Sequence, residues 1–223
     1  MTRVIILFSV LLISTVALAQ PEQEYVSRYT AFAGYSYLNS PKLNLAERGF
    51  NVEFGVNVTR WLALGADYSY FTGHSDIFAQ DLTPAIQLQL SHVVPPGVLV
   101  FLPFDSTTYT FTAGPQFNYR GAKWATFFAR PALGGLHETA NLKPNTPLTT
   151  LLVAQLVPSG SKSDLEVFYG FGGGFELIPT KHFGLQFAAD FVHVNLFQGF
   201  LGSGRNSLRL SVGPTFRFGK NVK

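Results

Sequence analysis

The sequence predicts an all-β chain, folded as an eight-stranded antiparallel up-and-down barrel. Three observations predict it. Apolar and polar residues alternate with a period of two in eight separate segments, and side chains along a strand alternate between faces. Aromatic residues make up 15% of the 223 residues and charged residues 13%, against about 25% charged in soluble domains. Yet after residue 20 no uncharged apolar run reaches the roughly 18 residues of a membrane helix. The apolar content is therefore carried by alternation.

Taken in order, Tyr29 to Leu38 is the first strand, with Tyr29, Ala31, Ala33, Tyr35 and Tyr37 on one face. Phe50, Val52, Phe54, Val56 and Val58 then alternate with Asn51, Glu53, Gly55 and Asn57. Leu62, Leu64, Ala66, Tyr68 and Tyr70 alternate with Ala63, Gly65, Asp67 and Ser69. The fourth strand sets Tyr109, Phe111, Ala113, Pro115, Phe117 and Tyr119 against threonines, Gly114, Gln116 and Asn118. A weaker fifth, Trp124 to Leu133, sets Phe127, Ala129 and Leu133 against Thr126 and Arg130. The sixth runs from Leu165 to Leu177 with Glu166, Gly170, Gly172, Gly174 and Glu176 on its polar face. The seventh runs from Phe183 to Phe191, with Gln186 and Asp190 on its polar face. The closing strand puts Leu208, Leu210, Val212, Pro214, Phe216 and Phe218 on one parity and Arg209 and Arg217 on the other. Strands of this length suit a tilted crossing of a bilayer, and an even number can close without an open edge.

The connections alternate in length. Residues 59–61, 120–123 and 179–182 are tight turns; residues 39–48, 72–106, 136–163 and 196–205 are longer. Within the two longest, Ala85 to Leu90 and Leu148 to Val157 are apolar enough for hairpin extensions above the membrane, or for two further strands. Gly114-Pro115 and Gly213-Pro214 form a short internal repeat, and each is expected to mark a bulge or bend, since proline cannot donate to a ladder.

Alternation alone does not orient a barrel; lysine, glycine and tryptophan placement does. The lysines (Lys42, Lys123, Lys143, Lys162, Lys181, Lys220, Lys223) fall in loops, turns or the tail. The polar parity carries Gly55, Gly65, Gly114, Gly170, Gly172, Gly174 and Gly213, and small residues suit the crowded interior of an eight-stranded barrel. Trp61 and Trp124 follow tight turns beside Arg60 and Lys123, and Phe183 follows Lys181 and His182. Amphipathic aromatics beside basic residues belong at a membrane interface. Trp61, Trp124 and Phe183 are thus expected in an aromatic girdle, and the fold class becomes a transmembrane barrel with short periplasmic turns and long extracellular loops.

That orientation points Glu53, Asp67, Arg130, Glu166, Glu176, Asp190, Arg209 and Arg217 into the lumen. Charges in so narrow an interior must be paired or hydrated, so a structural salt-bridge core that plugs the barrel is expected, with an ion path as the alternative.

Arg3, the apolar run Val4 to Leu12 and the small-x-small site Ala17-Leu18-Ala19 read as a secretory signal peptide over 1–19, leaving 20–223 as the barrel. With no cysteine, disulfides and thiol chemistry are excluded. Net charge is +3 and the basic residues are scattered, so no nucleic-acid partner is expected. His74, His92, His137, His182 and His193 show no metal-ligand spacing. No cofactor is expected, and Gly172-Gly173-Gly174 lacks the Lys-Ser/Thr of a phosphate loop.

Ala33-Gly34-Tyr35-Ser36-Tyr37, the hairpin Asn57 to Tyr70, Ala113-Gly114-Pro115-Gln116-Phe117 and the closing Leu208 to Phe218 together resemble the small bacterial outer-membrane β-barrels of the OmpA-like, porin-family kind. The resemblance implies residence in outer-membrane lipid. It also implies insertion by the barrel assembly machinery with periplasmic chaperones, through a terminal strand carrying Leu208, Leu210, Val212, Phe216 and Phe218. One departure is the tail Gly219 to Lys223 beyond the last aromatic; no peptidoglycan-binding domain is expected. A non-enzymatic barrel with an envelope-structural or surface-interaction role is the expected function, its loop partner left open. A narrow channel or a path for hydrophobic solutes is the alternative, supported by the apolar loop Val93 to Leu102. A lipid-modifying enzyme is third. His193, Ser203 and Ser207 lie near the outer rim, but Val192-His193-Val194-Asn195-Leu196 does not reproduce the His-x-Ser-Asn pattern of lipid A deacylases.

Overall fold

The computed structural model describes residues 23–94, 101–202 and 204–222. The expected signal peptide and most of the apolar loop Val93 to Leu102 lie outside them. Eight strands close a ring in which each pairs with its neighbours in sequence and β1 pairs with β8. They are β1 (Ser27–Ser40), β2 (Leu45–Asn57), β3 (Leu62–Phe78), β4 (Phe101–Ala122), β5 (Ala125–Leu142), β6 (Ser161–Leu177), β7 (Phe183–Val194) and β8 (Arg205–Asn221). All the pairings are antiparallel.

Several strands run further than the alternation suggests. The connection expected over 39–48 is a 3-10 turn at Pro41–Leu43, flanked by strand on both sides. β3 and β4 pair continuously from Leu62↔Phe117 up to Phe78↔Phe101, into both ends of what reads as loop. Lys162 and Lys220 accordingly lie at strand ends. The pattern fades there because the upper lumen is apolar. Phe104, Leu136, Phe168, Val192 and Val194 are buried inside on the parity that lower down carries charge. Above the belt the outward parity turns polar, with Arg48, His74, Asp105 and His137, so no single parity stays apolar along the strand. β5 reads weakly because Phe128 and Ala132 put apolar side chains inward as well.

The two apolar loop segments are helices, neither hairpins nor strands: α1 (Pro84–Val93) and α2 (Pro147–Leu156). Each begins with proline at the first turn after a threonine, the arrangement that suits a helix start. Thr146 and Thr149 also form a reciprocal cap, with Thr149 N 3.1 Å from Thr146 Oγ1. Thr83-Pro84 and Thr146-Pro147 are the sequence signals for these helices. Ile86 and Leu90 of α1, and Leu152 and Val153 of α2, join Leu82, Phe197, Phe200 and Leu201 in one buried apolar cluster. That cluster continues down the upper lumen through Leu142, Leu136 and Phe168. Thr83 N donates to Phe200 O at 3.0 Å, and Leu82 bridges to Leu201, tying the loops into a cap.

The Gly-Pro repeat marks interruptions of the ladder without any shift of register. On β4–β5 the pairing stops at Thr112↔Gly134 and resumes in the same register at Phe117↔Ala129. Pro115 and Pro131 stand opposite each other inside that gap. Asn118 donates its amide to Trp61 on the β3 side, and Ile178 donates to Trp124 on the β5–β6 side. Alternate residues face opposite ways in an antiparallel ladder. Odd residues of β4 and β5 therefore turn their backbones toward each other, and at this row both lack an N–H. On β1–β8 a similar gap lies between Phe32↔Thr215 and Tyr35↔Val212, at Pro214. Restoring the donors with Pro115→Val and Pro131→Thr is expected to raise unfolding free energy by about 1 kcal/mol per hydrogen bond regained, read from urea unfolding in detergent. An unchanged midpoint would mean that the gap has another cause.

The tail beyond Phe218 is also ordered into the wall. Gly219 takes φ +93, a left-handed value that favours glycine. Asn221 pairs with Ser27 and accepts from Val26 N at 2.8 Å.

Candidate functional site

Outward-facing apolar residues form the outer wall. Tyr35, Phe50, Phe111, Phe127, Tyr169 and Phe191 are exposed, as are Leu208, Leu210, Val212, Phe216 and Phe218 of β8. Trp61, Trp124 and Phe183 are exposed at the short-turn end. Trp61 stacks on Phe117 at 6.2 Å and Phe183 meets Phe216 edge-on at 5.0 Å. A belt of this kind, uncovered by any of the described residues, requires an apolar solvent.

The opposite parity fills the lumen with charge, in three layers. In the central layer Arg209 of β8 donates to Asp67 on β3 at 2.7 and 3.1 Å, and through Nε to Asp190 on β7 at 3.0 Å. Arg130 of β5 donates to Glu53 on β2 at 2.7 Å and to both oxygens of Asp190 at 3.1 and 3.2 Å. Asn51, Ser69 and Thr112 add hydrogen bonds to Asp67 or Arg209. Asp190 and Arg209 are 0% and 4% exposed, so each charge depends on its partners and not on water. The planar guanidinium suits this work, because its fork can serve two carboxylates at once. Small residues make the room: a Cβ on Gly172 would fall 1.8 Å from Asp190 Oδ1.

Above it, Arg205 of β8 forms an ion pair with Glu138 of β5 across the lumen, and Thr108 donates to Glu47 at 2.8 Å. Below it, Arg217 lies beside Glu176, and Arg120 donates to Asn57 Oδ1 at 2.7 Å.

Of the eight charges placed inside by parity, Glu53, Asp67, Arg130, Asp190 and Arg209 are brought into one hydrogen-bonded network. Glu176 and Arg217 meet separately beneath it. Glu166 has the inward register but is half-buried and makes no ion pair among the described residues. Glu47, Glu138, Arg205 and Arg120 are inward charges that parity misses. They sit where the alternation reads as turn or loop. Extending the parity of Glu53 back to Glu47, and of Arg130 forward to Glu138, would find two of them.

Of the rim residues, His193 and Ser207 do not converge. His193 Nδ1 donates to Asn206 Oδ1 at 2.8 Å, and its ring lies against that of Tyr169 at 5.3 Å on the outer wall. Ser207 is buried in the lumen, 2.7 Å from Ser40 Oγ. Ser203 lies outside the described residues.

A family model described as outer membrane protein beta-barrel domain matches residues 8–218. No curated protein matches the chain. Among solved structures, the outer membrane protein OprG from Pseudomonas aeruginosa is similar with a TM-score of 0.53 at 10% identity, over 88% of this chain and 98% of that one. Neisserial surface protein A is similar with a TM-score of 0.52 at 11% identity, over 85% and 96%. Ail, the attachment invasion locus protein of Yersinia pestis, in complex with the heparin analogue sucrose octasulfate, gives 0.50 at 16% identity, over 86% and 99%. At these identities the likeness is one of fold.

Proposed function

The chain belongs to the outer membrane β-barrel family, and from that premise we propose that it is a non-enzymatic, non-conducting barrel whose folded outer cap is its working surface. It resides in the outer membrane. In this reading the barrel over 20–223 is delivered by a signal peptide cut after Ala19. β8, with Leu208, Leu210, Val212, Phe216 and Phe218 outward, is the strand that the assembly machinery reads.

The observation that carries the proposal is the central charge layer. Arginines from β5 and β8 reach carboxylates on β2, β3 and β7, so the network crosses the lumen from wall to wall. A lumen bridged this way supports a barrel closed to ions, and the apolar cluster beneath α1 and α2 adds a second barrier at the outer end. Exposed Leu88 and Leu151 on the cap helices give the outer surface apolar points of contact, in keeping with an envelope-structural or surface-interaction role. Purified protein in planar bilayers is expected to give no unitary conductance steps, with or without Arg209→Ala. Stepwise currents in the wild type would overturn the proposal.

A second reading, passage of an apolar solute, is favoured by one feature: a small apolar cavity of about 30 Å³ under the cap, lined by Ile77, Leu82, Leu90, Leu152, Val153 and Phe200 among others. So small a space takes a solute only if α1 and α2 part. Saturable enhancement of a hydrophobic fluorophore, lost in Leu152→Trp, would favour this reading.

A further inference from the structure

The lowest charge layer is built differently from the central one. In the central layer every guanidinium is hydrogen-bonded to carboxylates. Arg217 is 3% exposed, yet its nearest acid is Glu176, with Nε 3.7 Å from Oε1, too long for a hydrogen bond. Nε of Arg217 has no hydrogen-bond partner among the described residues, nor has Nε of Arg120, Nδ2 of Asn118 or the hydroxyl of Thr215. Arg120, 7% exposed, directs its other nitrogens to Arg60 O and Asn57 Oδ1. Two buried guanidiniums thus share one carboxylate, Glu176, one of whose oxygens is itself without a hydrogen bond.

Arg217 also lines a funnel of about 320 Å³ at the short-turn end, which family topology makes the periplasmic end. The exposed Lys123 and Lys181 line the same funnel; Glu24, its acidic lining residue, stands 3.7 Å from Lys123. A buried cation lacking its hydrogen-bonded counter-charge is costly. A buried guanidinium with one N–H unpartnered, at the floor of an open funnel, matches an oxyanion in charge and in its planar donor fork.

We propose that the funnel ending on Arg217 binds a phosphate group, supplied either as free inorganic phosphate or as the headgroup of a phospholipid in the periplasmic leaflet. Arg217 is its buried anchor, with Lys123 and Lys181 drawing the anion in. The test uses the full chain refolded in a phosphorus-free detergent. Inorganic phosphate, titrated by calorimetry, is expected to bind saturably. Arg217→Gln is expected to weaken it about ten-fold or more, the scale of one charge-assisted hydrogen bond. If free phosphate does not bind, but native mass spectrometry shows phosphatidylglycerol retained by the wild type and released by Arg217→Gln, the headgroup is the source. Absence of both, or either one unchanged in Arg217→Gln, overturns the proposal. Should Arg217→Gln fail to fold, the rim double variant Lys123→Gln, Lys181→Gln decides: weaker binding supports the site, and unchanged binding overturns it.

Discussion

Arg209→Met is expected to cost the barrel about 3–5 kcal/mol of unfolding free energy, the range for removing one partner of a buried ion pair. Arg209 is 4% exposed and Asp190 0%. Arg209 holds Asp67 and Asp190 together, and its loss strands Asp67 and leaves Asp190 to Arg130 alone. Urea unfolding in detergent, followed by tryptophan fluorescence, measures the cost. Adding Asp67→Asn to Arg209→Met is expected to recover part of it, because the stranded charge goes with its partner. A cost under about 1 kcal/mol, the scale of a solvated pair, would mean that water reaches the network and that the lumen is not closed there.

Val212→Arg, three residues along the same strand on the other parity, is expected to cost about 2–4 kcal/mol, the penalty for a charge on the lipid face near the bilayer midplane. Val212 lies opposite Tyr35 on β1 and Phe187 on β7, in the middle of the apolar belt. Val212→Leu at the same site is expected to be nearly neutral. Equal stability of the arginine and leucine variants in lipid bilayers would show that this face does not meet hydrocarbon. The two substitutions form a pair: removing a charge from one parity of β8 and adding one to the other are both damaging, for opposite electrostatic reasons.

The charges show where legibility stopped. Asp67, Asp190 and Arg209 sit in segments with clear alternation, so their inward direction follows from neighbours one residue away. Glu47, Glu138 and Arg205 lie where the strands rise past the belt. Apolar Leu45 and Leu136 share their inward parity and polar Arg48 and His137 turn outward, so neither face stays of one kind and the period is lost. α1 and α2 were obscured differently. Their apolar content says that they are buried, but helix and strand bury short apolar runs equally well, and the Thr-Pro starts are what separates the two.

Alternation along the chain specifies the strands of the barrel and their two faces, and the placement of lysine, glycine and tryptophan specifies which face meets lipid; both are local properties of an extended chain and need no knowledge of partners. Which residues meet follows from closure of the ring. Arg209 and Asp67 are 142 residues apart, and Pro115 faces Pro131 only in the β4–β5 register. Closure of the ring brings such residues together, and the same closure leaves Arg217 and Arg120 sharing a single carboxylate. Pairing depends on register and on the width of the lumen, and both are fixed by the whole set of strands rather than by any one of them.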